Sequence, residues 1–231
     1  MSTKAPQNSE QKDLDIGDMY TSTELFFEKN KKAVTIGIGA VLLMVALVLG
    51  YKKLYAEPRA KDAQEAIWKA QYYFEIDSLD LAMNGDGNYV GLLDIAQNYG
   101  STPSGELAHF YLGTIMLEKG EYQAALDHYK EADLEDDVLS VMAVGNQGDA
   151  LVELGKVDEA ISQFEKAADM VKSDFTTPIF LMKAGVLHQQ KGDWKGAARV
   201  FGRVAKDFST TPDAANAKKL AARAEAMAAQ G

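Results

Sequence analysis

LGTIMLEKGEYQAALDHYKEA (residues 112–132) is followed by two segments with the same spacing, QGDALVELGKVDEAISQFEKA (147–167) and AGVLHQQKGDWKGAARVFGRV (184–204). In each segment a first glycine is followed by a second glycine seven residues later, an alanine at twelve and an aromatic residue at sixteen. The first glycines, Gly113, Gly148 and Gly185, are 35 and 37 residues apart. A repeat of this length indicates one supersecondary unit per segment, stacked on its neighbours.

Each unit is expected to be a pair of antiparallel helices. The second glycine falls where the chain reverses, because a glycine just past a helix end takes the left-handed conformation at little cost. The first glycine is expected to leave room for the alanine of the second helix, and the ring to fill the space between pairs. The residues in these positions are Gly120, Gly155 and Gly192 (turns), Ala125, Ala160 and Ala197 (alanines), and Tyr129, Phe164 and Phe201 (rings).

This pattern resembles the tetratricopeptide repeat, in which a small residue is followed by an alanine and an aromatic residue at these offsets. It departs from that repeat because the first-helix tryptophan is missing from all three segments, and Val204 stands where the others have alanine. The resemblance implies an all-α fold, a short α-solenoid. Its repeats are expected at about 104–135, 139–172 and 176–208.

The flanking segments extend this array less regularly. Residues 60–99 are predicted to form a degenerate first pair of helices, joined by the turn NGDGN (84–88). The alanine-rich segment 212–229 is predicted to form a terminal helix that covers the open end of the array. Three Thr-Pro pairs, at 102–103, 177–178 and 211–212, are expected to cap helix starts, with the proline in the first turn.

An uncharged run, residues 33–50, lies ahead of the array and is bracketed by pairs of lysines. Eighteen helical residues span about 27 Å, which is close to the hydrocarbon thickness of a bilayer. The lysines can reach the headgroups, and aromatic residues flank the run at both ends. The sequence therefore predicts a transmembrane anchor helix at 25–57 that contacts the membrane through residues 33–51.

Two other interpretations of this run are a buried core helix and a cleaved signal peptide. A core helix is seldom uncharged on every face for five turns, and no clear small-x-small cleavage site follows the run.

The polar segment 1–24 is predicted to be a disordered tail, and residues 58–231 are predicted to be the tetratricopeptide-like repeat domain.

The amino-acid composition argues against several classes of function. Residues 54–231 hold 17 Lys and Arg against 28 Asp and Glu, so this part carries a net charge of -11, which argues against non-specific nucleic-acid binding. The chain has no cysteine, which excludes disulfides, thiol catalysis and thiolate metal sites.

No motif in the sequence predicts catalysis. The three histidines, His109, His128 and His188, have no second ligand type at metal-site spacing. EADLEDD (131–137) lacks the alternating oxygen ligands of a calcium loop, and NGDGN is a turn rather than a phosphate cradle. We therefore expect no catalytic, cofactor or metal residues, no nucleic-acid partner and no small-molecule substrate.

A solenoid of helix pairs binds other proteins through the concave surface lined by its first helices. The repeat register places eleven residues towards that surface, several of them apolar as a peptide groove requires. They are Leu107, Phe110, Thr114, Leu117, Met142, Asp149, Val152, Ile179, Met182, Val186 and Gln189. The alternative is that many of them pack against a neighbouring helix or the terminal helix. The lysines and asparagines of a carboxylate-clamping groove are missing, which argues against recognition of chaperone tails.

FFEKNKKAVTIGIGAVLLMVALVLGYKKLYAEPRAKDAQEA (26–66) is similar to the corresponding region of the ancillary SecYEG translocon subunit family of bacterial inner membranes. The resemblance implies a single-pass inner-membrane protein with a cytoplasmic N-terminus and periplasmic repeats. Its implied partners are translocon subunits, periplasmic chaperones or exported chains, and it implies no catalytic residues. Positive charge near the run is slightly greater on its C-terminal side, so the orientation comes from the resemblance and not from charge.

Two classes of function follow. The first is a membrane-anchored protein-protein interaction module, an accessory of the protein-export translocon that assists or hands over exported chains. The second is a structural scaffold that docks a fixed cell-envelope or division complex. A reversed topology would instead indicate a cytoplasm-facing receptor.

Overall fold

The computed structural model describes residues 27–230. The predicted tail at 1–24 and the first two residues of the predicted anchor lie outside the described residues. The chain divides into two compact units at the bond between Tyr55 and Ala56. Within residues 27–230 the backbone consists of helices and their connections, with one isolated antiparallel bridge between Gly85 and Val90. The predicted all-α class is confirmed.

The first unit contains helix α1, Lys31–Tyr51, none of whose side chains is buried. The helical stretch Lys31–Glu75 includes an 18-residue window of mean hydropathy 2.6, with none of it buried, which is long and apolar enough to cross a membrane. A single π-helical turn, Lys52–Ala56, comes shortly before Pro58. Proline supplies no backbone N–H, so regular α-helical hydrogen bonding cannot continue unchanged through this position.

The second unit contains ten helices in the described part of the chain. They are α2 (Glu57–Glu75), α3 (Leu79–Asn84), α4 (Leu92–Tyr99), α5 (Pro103–Glu118), α6 (Tyr122–Glu131), α7 (Asp137–Glu153), α8 (Val157–Met170), α9 (Thr176–Gln190), α10 (Trp194–Asp207) and α11 (Ala214–Ala228). Each helix from α5 to α10 packs against the next one along the chain. The pairs α5–α6, α7–α8 and α9–α10 are the three tetratricopeptide-like repeats.

The turns inside the three repeats are identical. Their glycines, Gly120, Gly155 and Gly192, have φ between 73° and 78°, as expected for the left-handed residue after a helix. In each turn the next residue donates its N–H to a carbonyl five residues back; Glu121 donates to Met116 at 2.8 Å. This hydrogen bond and the one from the glycine N–H pair with carbonyl oxygens that have no partner within the helix, and they fix the reversal between the two helices.

The first glycine of each repeat makes room for a ring and not, as expected, for an alanine. An added Cβ at Gly113 would lie 2.7 Å from the ring of Tyr129, and one at Gly148 would lie 2.6 Å from the ring of Phe164. Phe201 stands in the same relation to Gly185. Each ring therefore packs against the first helix of its own pair, where the missing side chain leaves space for it. Phe164 also stacks on Phe180 of the next repeat, so this ring reaches the space between pairs as well.

Residues 60–99 contain three helices where the sequence analysis expected a pair. The chain reverses first at Asp77, which has φ 59°, and again in the NGDGN turn, which connects α3 to α4. Asp86 stabilises this second turn by accepting hydrogen bonds from the N–H groups of Asn88 and Tyr89 at 2.9 and 2.8 Å. A short helix between two such turns has no periodic pattern long enough to be read in the sequence.

One of the three Thr-Pro pairs caps a helix as predicted. Thr102 Oγ1 accepts from the N–H of Gly105 at 3.2 Å at the start of α5. Thr177 lies inside α9 and donates to the carbonyl of Val171, while Ser173 accepts the N–H groups at that helix start. Thr211 donates to the carbonyl of Phe208. Buried carbonyls nearby compete for a threonine hydroxyl, so the dipeptide alone does not define a cap.

Candidate functional site

The eleven residues predicted to line the groove all lie on the first helices of the three repeats. They are Leu107, Phe110, Thr114 and Leu117 on α5; Met142, Asp149 and Val152 on α7; and Ile179, Met182, Val186 and Gln189 on α9. All are at least partly accessible to solvent, and Val186 is 42% exposed. The repeat register thus selected a face that lies outside the fully buried core.

Four of these residues meet at one cavity of about 390 Å³ between α7 and α9, which we call the α7–α9 cavity. Its lining residues are Asp149, Val152, Phe164, Met182, Lys183, Val186, Leu187 and Gln190. The walls are mostly aliphatic and aromatic, and one carboxylate and one ammonium are present. This composition is typical of a site for an apolar side chain with polar groups beside it.

Four of the lining residues were not predicted from the sequence: Phe164, Lys183, Leu187 and Gln190. Lys183 is the charged one among them. Its Nζ donates to both carboxylate oxygens of Asp149, each at 2.7 Å. The same ammonium lies 5.5 Å from the ring centroid of Phe164 and 5.8 Å from that of Phe180. The ion pair and the two ring contacts together hold the lysine side chain between the second and third repeats.

Most of the other predicted residues contact the core as well as the surface. The side chains of Phe110, Leu117, Met142 and Ile179 pack against the main core cluster. Leu107 packs against the cluster formed by α2, α3, α4 and α5. For these positions the alternative interpretation, packing against neighbouring helices, describes a large part of what the side chain does.

The α5 side of the groove is already hydrogen-bonded within the protein. Tyr129 donates its hydroxyl to Thr114 Oγ1 at 3.1 Å, and Asn146 Nδ2 donates to the Tyr129 hydroxyl at 3.3 Å. Thr114 in turn donates to the carbonyl of Phe110. Burial raises the pKa of the Tyr129 hydroxyl, which keeps it protonated as a donor. This network holds the first helices in register and leaves fewer free polar groups for a ligand there.

The terminal helix contributes no lining residue to the α7–α9 cavity. Ala221 and Ala224 of α11 form a core cluster with Ala197 and Phe201 of α10, against which Met182 of the cavity also packs. The residues that line the cavity come from α7, α8 and α9. In the described residues α11 therefore packs at the end of the array and leaves the cavity open.

The three histidines make contacts within the protein. His188, which is 8% exposed, lies with Nε2 3.0 Å from Glu165 and Nδ1 2.7 Å from Asp193. His109 and His128 face each other, with their Nδ1 atoms 3.0 Å apart. In residues 27–230 no three His, Cys, Asp or Glu side chains are grouped to hold a metal ion.

A family model described as a tetratricopeptide repeat matches residues 182–229. The match begins within α9 and covers the rest of that helix together with α10 and α11. No curated protein matches the chain. Tetratricopeptide repeats are a protein-interaction fold, so the match supports a protein-protein interaction module.

Proposed function

We propose that this chain is a membrane-anchored interaction module in which the α7–α9 cavity receives an apolar side chain of a polypeptide partner. The observation that carries the proposal is the cavity itself. It is open, it lies on the face that the repeat register selects, and it combines apolar walls with the Asp149–Lys183 ion pair. An extended or helical peptide could bind along the first helices with one side chain inserted there.

We further propose that the module is an accessory of the protein-export translocon in a bacterial inner membrane. The resemblance of residues 26–66 to the ancillary translocon subunit family supports this role. Helix α1 supports anchoring because its apolar side chains are exposed and its length suits a bilayer. Anchoring beside the translocon would raise the local concentration of exported chains, so weak binding in the cavity would be sufficient.

The experiment combines topology with crosslinking in bacterial spheroplasts that carry the full chain. A photoreactive residue replaces Val186 at the cavity, and a matched control replaces Ser162, which is exposed on α8 outside it. We expect protease to digest the repeats from outside. We also expect Val186, and not Ser162, to crosslink to translocon subunits and to varied exported chains.

Three other results would change the assignment. Protection of the repeats from protease would place them in the cytoplasm and contradict the translocon role. A single unrelated envelope partner at Val186 would favour the structural scaffold. Equal crosslinking at both positions would contradict the assignment of the cavity as the binding site.

A further inference from the structure

Four aromatic rings lie around the ammonium group of Lys69 on α2. Three of the rings are also on α2, and the fourth is in the turn after α3. The Nζ atom of Lys69 lies 4.6 Å from the ring centroid of Tyr72, 4.9 Å from Tyr73, 5.5 Å from Trp68 and 5.8 Å from Tyr89. All four distances are within the range of cation–π attraction. We call these four rings the aromatic cage.

The cage is held together by contacts that do not involve the cation. Tyr72 and Tyr73 are three and four residues after Lys69 and therefore share its side of the helix. Tyr73 donates its hydroxyl to Asp86 at 2.6 Å, and the same carboxylate accepts the backbone N–H of Tyr89. The Tyr89 ring then meets Trp68 edge to face, with the centroids 5.5 Å apart.

The cage is accessible, and its present occupant is held by ring contacts and by attraction to the nearby Asp86 carboxylate, without an ion pair. Trp68 is 51% exposed, and Tyr72 and Tyr89 are each 45% exposed. Within the described residues, no carboxylate oxygen lies at ion-pair distance from Lys69 Nζ. Cation–π contacts at exposed sites are weak, so this ammonium can exchange with another cation.

We propose that the aromatic cage binds a lysine or arginine side chain of a polypeptide partner, which replaces the ammonium of Lys69. Lys69 stands in for the partner's cation, and it shows that a basic side chain of this size fits between the rings. Exposed Trp and Tyr are the residues most often found at the centres of protein interfaces. The negative charge of residues 54–231 favours the approach of a basic segment.

This site is built from α2 and the turn before α4, whereas the α7–α9 cavity is built from α7, α8 and α9. It therefore goes beyond the proposed function and does not depend on it. A failure of one assignment leaves the other unchanged.

Trp68 itself can report binding. The chain has two tryptophans, so Trp194→Phe leaves Trp68 as the sole indole. The full chain is purified in a maltoside detergent, whose headgroup carries no cation. It is titrated at constant ionic strength with acetyl-Ala-Lys-Ala-amide, the arginine equivalent, a neutral norleucine equivalent and tetramethylammonium. The same titrations are made with Lys69→Met, which removes the ammonium from the cage, and with Tyr89→Leu, which removes one ring.

We expect the lysine and arginine peptides, and not the norleucine peptide, to change Trp68 fluorescence saturably. Binding should be about two- to fivefold tighter in Lys69→Met than in its parent, because the internal competitor is gone, and weaker in Tyr89→Leu. If Lys69→Met fails to fold by circular dichroism, the parent and Tyr89→Leu titrations decide the question.

Three results would overturn the proposal. The first is the absence of any response in folded Lys69→Met. The second is an equal response to the norleucine peptide, which would mean that the rings form an apolar patch without preference for cations. The third is a response to tetramethylammonium alone, which would assign the cage to quaternary ammonium ions instead of basic side chains.

Discussion

Gly145 on α7 lies against the ring of Phe180 on α9, where the first helices of two repeats meet. A methyl group at Gly145 would overlap that ring. Phe180 is completely buried, and its ring stacks on Phe164 with the centroids 6.1 Å apart, so it has little room to move. The absence of one side chain therefore sets how closely two repeats approach.

We predict that Gly145→Ala destabilises the repeat unit while Gly202→Ala stabilises it. Both glycines lie inside helices, where alanine is preferred by about 0.5–1 kcal/mol. At Gly145 this gain is outweighed by overpacking, which costs about 1–3 kcal/mol, whereas Gly202 has no atom within 4 Å of an added Cβ. Urea unfolding of the two variants measures the difference. Equal effects would mean that the contact with Phe180 relaxes freely.

The contact between the imidazole rings of His109 and His128 also has a measurable consequence. At 3.0 Å one Nδ1 donates and the other accepts, which two protonated rings cannot do. Burial lowers the pKa of both imidazoles, and the charge of His109 lowers that of His128 further. Glu131 opposes these shifts without reversing them.

A lowered pKa in the folded state means that the unfolded chain binds protons first as the pH falls. The pair therefore leaves stability unchanged well above pH 6.5 and lowers it as the pH falls from about 6.5 towards the shifted values. We predict that Tm falls less between pH 7 and about 5.5 in His128→Gln than in the parent chain. Thermal unfolding followed by circular dichroism at several pH values tests this. Parallel curves for the two proteins would contradict it.

At the scale of the helices, four ion pairs connect the second repeat to the third. Each joins an acid to a base 33 or 34 residues later: Asp149–Lys183, Asp158–Lys191, Glu165–Arg199 and Asp169–Arg203. The first glycines of these two repeats, Gly148 and Gly185, are 37 residues apart. Each base therefore lies about one helical turn before the position in the third repeat that corresponds to its acid. Burial by itself would raise the pKa of Glu165, but the hydrogen bonds from His188 and Arg199 lower it. Exposed pairs contribute little individually, so they mainly favour one alignment of the repeats.

The turns inside the repeats depend on a backbone conformation and not on contacts. Gly155 has φ 73° and no atom within 4 Å of an added Cβ. We predict that Gly155→Ala lowers the free energy of unfolding by about 1–2 kcal/mol, because alanine is strained in the left-handed region. Gly155→Asn should lose less, because asparagine tolerates that region. Urea unfolding of both variants checks the order, and an equal loss would point to a steric cause.

These elements show what a sequence can predict. The glycine spacing predicted the turns and the first-helix face, because both depend on local geometry that repeats along the chain. It did not predict the ring contacts of Gly113 and Gly148 or the place of Lys183 beside Asp149. Those depend on how far one helix is displaced against the next. The separation of 34 residues between Asp149 and Lys183 is visible in the sequence. It indicates an ion pair only when the displacement of one repeat against the next is known.

At the scale of the whole repeat unit, the array needs a covered end, and α11 provides it. Ala224 is completely buried against α10, while Ala222 on the same helix is exposed. The alanine-rich composition allowed this capping role to be predicted, because small residues on one face let two helices approach closely. The opposite end, α2 to α4, was predicted less well, because one extra turn, at Asp77, divides it into three helices.

We predict that Ala224→Asp releases α11 from the array, whereas Ala222→Asp does not. A buried, unpaired carboxylate costs about 3 kcal/mol or more. Because α11 packs mainly on one neighbour, α10, we expect it to detach while α5 to α9 stay folded. Hydrogen exchange should show lost protection in α10 and α11 of Ala224→Asp alone. Global unfolding of that variant would mean that the array is more cooperative than nearest-neighbour packing implies.

The wall of the α7–α9 cavity has a consequence for mechanical response. Phe164 and Leu187 line the cavity, and both are also buried members of the main core that joins the second repeat to the third. A partner side chain that fills the cavity would therefore contact the packing between these two repeats. We expect its binding to stabilise that packing, and strain between the two repeats to weaken the binding by the same free energy.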